Sequence, residues 1–569
     1  MKLKILGCCL CLCLTSPLIA APLTATYQLP PLERAPAKSL EAKTLKETQV
    51  MMKAEQLKLN FALIDDYQLY TQQLEQKITQ QLTALPKTAP LHTFTGDSTQ
   101  ALNVFLNTLQ APARVQVTAA QLKFDETLVL KTGISLQGSP TQIIGNAEKS
   151  VFVGENIENF KLKDFEISAG KVGIYLKTVK NFVLEDLNLQ ANQRGALLQG
   201  KSSAGVIRNN RFENNQQGGL AFVGDVKEIQ VRHNQFTQTQ ADSNWQASFL
   251  MTDTFLGEEW IGNESDFVLG ATRYPILKGI ESLPAYNLIQ ENLFQANHAA
   301  GLYVDGGVGN VIANNQFIDN DKQGLCLEGG ALLNIVQHNN FKGNGSRQHQ
   351  SDASLQQEQL LSFGKMTDGT SVAKLPAIAL DNAAYNLLLE NTIQQNRGDG
   401  IKLVRTAFRN ILIFNTILDN NQAQNSKFLF SGINVGYTAN TLQEEGNHDF
   451  IPSVENIVAA NTLYGAHYAG INLEMDVTFN DIYNNLIYKF RNVPIADNSK
   501  RFNSLVDNAF PQAAPIPVPV KTVSPVEKPD NQEFSFLVKL VIMLIILNFL
   551  MLAWILVRIK SLTPKKVAD

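Results

Sequence analysis

The sequence has few cysteines, and most of them lie close to its N-terminus. Of five cysteines in 569 residues, four lie within the first 13: Cys8, Cys9, Cys11 and Cys13. If that segment is removed, Cys326 alone remains and no internal disulfide can form. The seven histidines show no Cys/His spacing of the kind that binds zinc. These absences argue against a disulfide-stabilised or zinc-dependent protein.

An excess of charge of either sign is also lacking. The Lys and Arg residues number 48, the Asp and Glu residues number 52, and the formal net charge is −4. Proteins that bind nucleic acid carry a basic surface that attracts phosphate groups. We therefore expect no nucleic-acid partner.

Two apolar segments lie at the two ends of the chain. Residues 1–20 are typical of a signal peptide, because two lysines precede an apolar stretch that ends in small residues. Residues 534–558 are long and apolar enough to span a membrane, and the basic tail 559–569 is expected in the cytoplasm. The proline-rich stretch 501–533 is predicted to be an extended linker. The pattern predicts a single-pass protein of the bacterial inner membrane, with its main domain in the periplasm.

A short phrase that recurs between residues 207 and 487 is the strongest pattern in the sequence. Each copy reads apolar-x-x-Asn-x-apolar and usually continues, seven residues later, with Gly-apolar-x-apolar. Copies without an insertion between them are 23 or 24 residues apart. Apolar residues alternate in short runs such as Gly301-Leu302-Tyr303-Val304-Asp305, which is the period of a strand. A fixed period of this length predicts a solenoid in which each unit is one coil of three short strands.

This repeat resembles that of the right-handed parallel β-helix superfamily, which includes pectate-lyase-like and polysaccharide-epimerase-like proteins. The stretch Gly-Asp-Ser-Thr at residues 96–99, which precedes a short helical pattern, is similar to the usual entry into such folds. The resemblance covers residues 91–500. It implies an all-β, right-handed parallel β-helix with about 23 residues per coil.

Residues 21–90 have a different character and precede the repeat. Apolar residues at 57, 61, 64, 67, 74, 78 and 82 have helical spacing, so we predict a helix or helical hairpin within 38–85. Two roles stay open for this segment. It could cover the open first coil, since solenoids need capping, or it could bind an envelope protein partner.

One asparagine stands at the same place in successive copies of the repeat. Asparagine tolerates left-handed backbone geometry, and stacked amides can bond one another from coil to coil. We interpret this column as a structural device that fixes a turn, without a functional role. Its members are Asn210, Asn234, Asn292, Asn315, Asn339, Asn391, Asn415, Asn461 and Asn485.

Two columns of side chains are predicted to point outward from the strand that follows each glycine. The outer column places Asp305, Glu328 and Asp381 on three consecutive coils, about 5 Å apart. Like charges at that spacing need a cation, a basic neighbour or a raised pKa. Calcium prefers oxygen ligands, so these three residues are candidate calcium ligands. The alternative is a solvated acidic face whose side chains splay apart.

Insertions interrupt the repeat next to this strand. The stretches 237–278, 342–376 and 418–431 lengthen the turn that leads into the strand, and 437–455 lengthens the turn that leaves it. Long loops beside one face predict a walled groove, where function concentrates.

The resemblance to pectate-lyase-like proteins implies that this groove binds a polysaccharide, which we expect to be exported and acidic. Lyases and C5-epimerases of uronic-acid polymers abstract a proton next to a carboxylate, so they need a base, an acid and a neutralising group. Lys402, Arg405 or His448 could be base or neutraliser, and Tyr303 the acid. The candidate catalytic residues are Asp305, Glu328, Asp381, Lys402, Arg405, Tyr303 and His448. The candidate substrate-binding residues are Glu281, Trp245, Asn434, Asn472 and Glu474.

Two other functions stay open. Paired carboxylates on neighbouring coils would suit a glycoside hydrolase. A non-catalytic scaffold that guides a polymer through an envelope secretion complex would suit the predicted membrane tether. The sequence has no Asp-Pro-His-Asp motif of the mannuronan epimerases, which counts against the epimerase alternative.

Overall fold

In a computed structural model of the chain, the described residues are 67–82, 89–240, 247–252, 283–346, 375–404, 407–422, 430–439, 450–465, 467–475, 477–499 and 502–511. All of them belong to one compact unit, Lys53–Asp569. The predicted signal peptide 1–20, the membrane span 534–558 and the tail 559–569 lie outside the described residues. Among the residues that are described, no helix is long and apolar enough to cross a membrane.

The described residues form two α-helices, α1 (Tyr67–Leu82) and α2 (Thr99–Thr108), and 41 short strands. The first strands are β1 Leu91–Phe94, β2 Ala113–Val117, β3 Gln121–Leu122, β4 Leu128–Val129, β5 Ile134–Ile144, β6 Phe152–Glu155, β7 Glu158–Ser168, β8 Val172–Lys177, β9 Lys180–Glu185, β10 Asn188–Gln190, β11 Arg194–Gln199, β12 Ser202–Arg208, β13 Arg211–Glu213, β14 Gly218–Val223, β15 Val226–Arg232, β16 Gln235–Thr237, β17 Ala247–Thr252, β18 Leu288–Gln290, β19 Leu293–Gln295 and β20 Ala300–Asp305. The remaining strands are β21 Val311–Ala313, β22 Gln316–Ile318, β23 Leu325–Glu328, β24 Ile335–Gln337, β25 Asn340–Lys342, β26 Ile378–Asp381, β27 Leu387–Leu389, β28 Thr392–Gln394, β29 Ile401–Val404, β30 Ile411–Ile413, β31 Thr416–Leu418, β32 Ile433–Val435, β33 Tyr437–Ala439, β34 Phe450–Pro452, β35 Ile457–Ala459, β36 Thr462–Tyr464, β37 Ala469–Leu473, β38 Asp481–Tyr483, β39 Leu486–Ile487, β40 Val493–Asp497 and β41 Ser504–Val506.

The strands stack coil upon coil into a parallel solenoid, as the repeat predicts. Each coil contributes one strand to a 13-stranded sheet (β4, β6, β8, β11, β14, β17, β20, β23, β26, β29, β32, β37 and β40). Its other two strands belong to a 26-stranded sheet that covers the remaining sides. Equivalent residues of successive coils pair in register, for example Phe294 with Phe317 and Phe317 with Phe341. The only antiparallel pair among the described strands is the hairpin of β33 and β34.

The core is a column of apolar side chains inside the coils. The rings of Phe212, Phe236, Phe294, Phe317 and Phe341 stack face to face with centroids 4.6 to 4.8 Å apart. The glycine of the repeat faces this column: a Cβ at Gly301 would lie 2.8 Å from Cδ1 of Phe317. The close approach of the backbone to the phenylalanine rings therefore explains why the repeat has glycine at this position.

Three asparagine ladders hold the turns, where the sequence predicts one. In the predicted ladder, the Asn315 backbone N–H and Nδ2 both donate to Oδ1 of Asn339, at 2.8 and 3.0 Å. The second ladder comprises Asn287, Asn310, Asn334, Asn386, Asn410, Asn456, Asn480 and Asn503. The third comprises Asn297, Asn320, Asn344, Asn396 and Asn420, with Asn192 and Asn215 earlier in the chain. Each ladder fixes one of the three turns of the coil, because its amides are buried, apart from the half-buried Asn503 at the end, and are bonded from coil to coil.

The left-handed geometry expected of the predicted asparagine column belongs to the residues just before it. His233, Glu291, Asn314 and His338 have φ between 54° and 55°. The asparagine that follows each of them uses its side chain for the ladder, so the turn is a two-residue device. This corrects the prediction that the ladder asparagine itself adopts the left-handed conformation.

Helix α2 caps the first coil. Ser98 is its N-cap and accepts a hydrogen bond from the Ala101 backbone N–H at 3.2 Å. Leu102 and Leu106 are buried in the solenoid core. The Gly-Asp-Ser-Thr entry predicted from the sequence therefore leads into a capping helix.

Helix α1 lies within the predicted helical segment 38–85, but it does not cover the first coil. It packs along β9, β12, β15 and β18 of the 26-stranded sheet, with Leu74 and Ile78 buried. Tyr70 donates to the Gly309 carbonyl oxygen at 2.6 Å, and the Lys77 ammonium lies 2.6 Å from a Glu228 carboxylate oxygen. The capping role predicted for this segment is therefore wrong for the described helix, because α2 occupies the end of the core and α1 lies on the side of the solenoid.

The solenoid extends beyond the predicted boundary at residue 500. Strand β41 pairs with β38, so residues 504–506 continue the coils into the stretch predicted to be linker. Asn503 and Asn508 extend two of the asparagine ladders. The repeat continues here without its glycine, so the glycine pattern predicts a boundary that is too early.

The first insertion is also placed differently from the prediction. Strand β17 pairs with β20, Leu250 opposite Tyr303 and Thr252 opposite Asp305. Residues 247–252 thus take the position in the 13-stranded sheet predicted for 279–283, and the long insertion follows that strand. Leu283 is buried outside this sheet, and Glu281 lies outside the described residues. Ser248 takes the position at which the repeat has glycine, so the repeat pattern does not predict strand β17.

Candidate functional site

The outer face of the 13-stranded sheet carries the predicted site residues. Register places Tyr303, Cys326, Ala379, Lys402, Asn434 and Asn472 in one column across successive coils. Asp305 pairs with Glu328 in a second column. Tyr303, Cys326 and Ala379 form an outer apolar cluster with Ala221, Val223, Ala247, Leu250 and Ala300, separate from the core inside the coils. The sheet is therefore buried on both faces over these coils.

A first polar group surrounds Tyr303. Its hydroxyl donates to a Glu328 carboxylate oxygen, and both side chains are buried. Burial and the nearby Glu328 carboxylate hold the pKa of Tyr303 well above its ordinary value. Thr252 Oγ1 donates to Asp305 Oδ2 at 3.0 Å. We define Tyr303, Glu328, Asp305 and Thr252 as the tyrosine group.

Two of the three predicted calcium ligands, Asp305 and Glu328, turn toward different groups. The Asp305 carboxylate lies over Gly329, where a Cβ would come within 1.8 Å of Oδ1, while Glu328 turns to Tyr303. Among the described residues, which include Asp305, Glu328 and Asp381, no group of three or more His, Cys, Asp or Glu side chains could hold a metal ion. Asp305 bonds to Thr252 and Glu328 to Tyr303, so these two carboxylates have separate protein partners, and the calcium site stays a prediction. A solvated acidic face is wrong for Glu328 and Asp381, which are buried.

A second polar group surrounds Asp399, a residue that the sequence analysis did not single out. The Ser431 backbone N–H donates to Asp399 Oδ1 at 2.5 Å, and Asn434 Nδ2 lies 3.4 Å from Oδ2. Burial raises the pKa of Asp399 to about 6, and the charge of Lys402 opposes that rise. Asn434 Nδ2 also donates to Glu474 Oε1 at 2.8 Å. We define Asp399, Lys402, Asn434 and Glu474 as the aspartate group.

Further amides extend the aspartate group along the sheet. Asn472 Nδ2 donates to Asn434 Oδ1 at 3.2 Å, and Asn498 Nδ2 donates to Asn472 Oδ1 at 3.0 Å. Lys402 and Asn434 are buried. The structure therefore brings together Lys402, Asn434, Asn472 and Glu474, and adds Asp399 to them.

The two groups lie too far apart to act on one carbon atom. Tyr303 and Lys402 occupy the same column, with the coils of Cys326 and Ala379 between them. Three strand spacings amount to about 14 Å. The predicted mechanism in which Tyr303 is the acid and Lys402 the base or neutraliser for the same sugar is thus wrong, because coil spacing separates them. Arg405, His448, Glu281 and Trp245 lie outside the described residues.

The sequence does contain a signal for Asp399. It stands directly before Gly400, in the phrase Gly398-Asp399-Gly400. The residue before each repeat glycine does not point into the core: Ala247 and Ala300, which hold this position, belong to the outer apolar cluster. A charged residue at that place therefore faces the same outer surface as Lys402.

Comparison with known proteins agrees with the solenoid. The family described as "Right handed beta helix region" matches residues 115–253 and 284–358. The fold is a right-handed parallel β-helix. No curated protein matches the chain.

Solved structures also match the chain, at low similarity. A mannuronan C-5 epimerase A-module from Azotobacter vinelandii is 12% identical, with 74% of this chain and 96% of that chain covered and a TM-score of 0.41. The catalytic domain of an α-1,3-glucanase in complex with nigerose is 14% identical, with 76% and 69% covered and a TM-score of 0.41. A surface adhesin of Streptococcus pneumoniae is 14% identical, with 70% and 88% covered and a TM-score of 0.39. Likenesses of this degree do not bear on the activity of the β-helix described here.

Proposed function

We propose that this β-helix binds an acidic polysaccharide along the outer face of its 13-stranded sheet and transfers protons on it at the aspartate group. The observation that carries the proposal is the buried Asp399, whose pKa is raised to about 6, beside the cation of Lys402. A carboxyl group that titrates near neutral pH can both accept and donate a proton under ordinary conditions.

The proposed chemistry is that of a lyase or C5-epimerase. Lys402 donates a hydrogen bond to the carboxylate of the bound uronate, which stabilises negative charge as it develops on the sugar. Asp399 in its ionised form takes the proton from the carbon next to that carboxylate. In elimination, the proton held by Asp399 passes to the glycosidic oxygen as its bond to the ring breaks and a double bond forms in the ring. In epimerisation, a proton from solvent is added to the opposite face of the same carbon, and Asp399 later releases its own proton to solvent.

A glycoside hydrolase is the second candidate, and Glu474 favours it. Asp399 and Glu474 both approach Nδ2 of Asn434, at 3.4 and 2.8 Å. Their carboxylate oxygens are then at most about 6 Å apart, which suits paired-carboxylate hydrolysis. In that mechanism the protonated Asp399 donates to the glycosidic oxygen and Glu474 acts as nucleophile or base.

The test incubates the full chain with polymers of galacturonate, mannuronate and glucuronate and follows three products. Unsaturated-uronate absorbance indicates a lyase, a changed sugar composition indicates an epimerase, and new reducing ends without that absorbance indicate a hydrolase. Asp399→Asn should lower the rate at least a hundredfold, since loss of a general acid or base has that order of effect.

The matched controls separate catalysis from binding. Lys402→Met should lower turnover of acidic polymers, whereas Tyr303→Phe, which changes the tyrosine group, should act through affinity. The pH profile distinguishes the two mechanisms: a rate that rises with pH through about 6 indicates Asp399 as base, and a rate that falls indicates Asp399 as acid. Full activity in Asp399→Asn would rule out this assignment. Binding of a polymer without any product would favour the non-catalytic scaffold.

We also propose that the protein is exported and held in the inner membrane. The support is the sequence pattern of residues 1–20, 534–558 and 559–569. Protease added to spheroplasts should cleave the β-helix while a tag after residue 569 stays protected. A tag that is cleaved from outside, or recovery of the protein in the cytosolic fraction, would contradict the proposal.

A further inference from the structure

The 26-stranded sheet carries apolar side chains on its outer face as well as inside the coils. On β27 and β30, Leu388 and Leu412 point inward and belong to the core. The residues on either side of them point outward, because successive residues of a strand face opposite sides of a sheet. They are nevertheless only 4 or 5% exposed: Leu387, Leu389, Ile411 and Ile413.

These outward residues belong to a stripe that follows the solenoid. Register continues it back to Ile335 and Val311, which are buried, and on to Ile457 of β35. It ends at β38, where the paired residue is Asp481. We define the outward apolar residues of β21, β24, β27, β30 and β35 as the outer stripe.

The described helices and strands do not account for the burial of the outer stripe. The extensive contacts that β27 and β30 make with other described elements are all with strands of their own sheet. Apolar side chains on the outer face of a sheet contact water unless another element packs on them. The structure contains a single chain, so the cover is a part of this chain outside the described residues.

Helix α1 points toward the outer stripe. Its Lys77 lies at Glu228 and its Tyr70 at Gly309, and these two turn residues are two coils apart. Two coils measure about 10 Å, and the seven residues from Lys77 to Tyr70 rise by about 10 Å. The helix axis therefore runs nearly parallel to the solenoid axis, and the N-terminal end of α1 is directed at the coils of β24, β27 and β30.

We propose that residues 53–66 continue α1 toward the N-terminus and cover the outer stripe. These residues belong to the same compact unit as the β-helix, and they contain no glycine or proline. Leu57, Ile64 and the buried Ile78 of α1 are separated by multiples of seven residues, which places them on one side of a helix. An apolar face thus continues from α1 into this segment.

The length of this segment agrees with the length of the outer stripe. The 17 residues from Lys53 to Tyr70 correspond to about 25 Å of helix. Gly309 and Asp481 are five coils apart, which is about 24 Å. A helix that begins at Lys53 therefore reaches the coil at which the apolar residues give way to Asp481.

The rise of the helix also sets the register of this packing. Ile64, Phe61 and Leu57 precede Tyr70 by six, nine and thirteen residues. These steps correspond to about two, three and four coils beyond Gly309. Ile64 is therefore placed at β27, Phe61 at β30 and Leu57 at β35.

The test places benzoylphenylalanine, a photoreactive amino acid, at position 64, 61 or 57 of the full chain, one position at a time. Mass spectrometry of the digested protein should find links to β27, β30 and β35 respectively, to within one coil. Position 55 is the matched control, because Glu55 lies nine residues, or two and a half turns, from Ile64 and so on the opposite side of the helix. Its links to these strands should be roughly tenfold fewer.

A reverse probe at position 389 distinguishes the possible occupants of the outer stripe. It should capture residues 53–66 of the same chain, and a mixture of isotope-labelled and unlabelled chains separates links within one chain from links between two. Capture of residues 534–558 or of a second copy would overturn the proposal. Equal link yields from positions 55 and 64 would overturn it as well.

Limited proteolysis is a second measurement that needs no probe. Trypsin should cleave after Lys58 roughly tenfold faster in Phe61→Asp than in the wild type, because a carboxylate at this position would release the segment from the apolar stripe. Glu55→Gln is the control and should be cleaved at the wild-type rate. Equal cleavage rates in Phe61→Asp and the wild type would contradict the proposed packing.

Discussion

Replacing Asp399 by asparagine should change how the stability of the β-helix depends on pH. The pKa of Asp399 is raised from 3.8 to about 6 by burial. An acid whose pKa is raised in the folded state binds its proton more tightly there than in the unfolded chain. The favourable contribution of protonated Asp399 to the free energy of unfolding is therefore fully present below pH 3.8 and is lost as pH rises to about 6.

The magnitude follows from the shift. Each pKa unit corresponds to 1.36 kcal/mol, so a shift of about two units changes the free energy of unfolding by about 3 kcal/mol across this window. Asparagine fits the same space and does not titrate. The free energy of unfolding of Asp399→Asn, minus that of the wild type, should therefore increase by about 3 kcal/mol between pH 4 and pH 7.

The assay is urea unfolding of both proteins at pH 4, 5, 6 and 7, followed by circular dichroism. The difference between the two proteins is the quantity to compare, because other groups titrate identically in both. Lys402→Met provides an independent check: removing a cation that lowers the pKa of Asp399 should move the upper end of the window above pH 6. A difference between Asp399→Asn and the wild type that stays constant from pH 4 to pH 7 would refute the reasoning.

Two further predictions concern the solenoid itself. His467 takes the place of asparagine in the third ladder, where the Asn420 backbone N–H donates to its Nε2 at 3.1 Å, and burial lowers its pKa to about 3. The free energy of unfolding of His467→Asn, minus that of the wild type, should therefore increase by about 3 kcal/mol from pH 7 to pH 4, because the wild type loses stability as pH falls below 6.5. Urea unfolding measures this difference, and a difference that does not change with pH would contradict the prediction. Phe317→Ala should lower the free energy of unfolding by about 3–5 kcal/mol, since the ring is fully buried between Phe294 and Phe341. Phe317→Leu is its control and should lose about 1 kcal/mol for each stacked pair; a leucine variant as stable as the wild type would argue against a contribution from stacking.

Much of the fold could be predicted because the repeat expresses local geometry. Phe317, Asn315 and Gly301 recur at fixed offsets since each coil must place one ring, one amide and one bare backbone at the same height. The predicted strand positions are wrong where a residue other than glycine takes the glycine position of the repeat. Ser248 replaces the glycine of β17, and Asn503 follows a coil whose glycine is missing, so a strand and a boundary were both misplaced.

The candidate site was predicted in part. Lys402, Asn434 and Glu474 were found by counting from the repeat glycine, because alternate residues of a strand share a face. Asp399 was missed because it precedes the glycine, where the alternation is broken. The distance between Tyr303 and Lys402 follows from three coil spacings and so can be read from the repeat.

The sequence by itself determined the period, and with it the coils, the stacked phenylalanines and the asparagine turns. These depend on contacts between equivalent residues of neighbouring coils, which a repeat records directly. The tertiary structure alone decided which outward residues are buried, and so which of them have unusual chemistry. Asp399 is an ordinary charged residue in the sequence. Exclusion from water raises its pKa to about 6, because the cost of a charge depends on its surroundings more than on its place in the repeat.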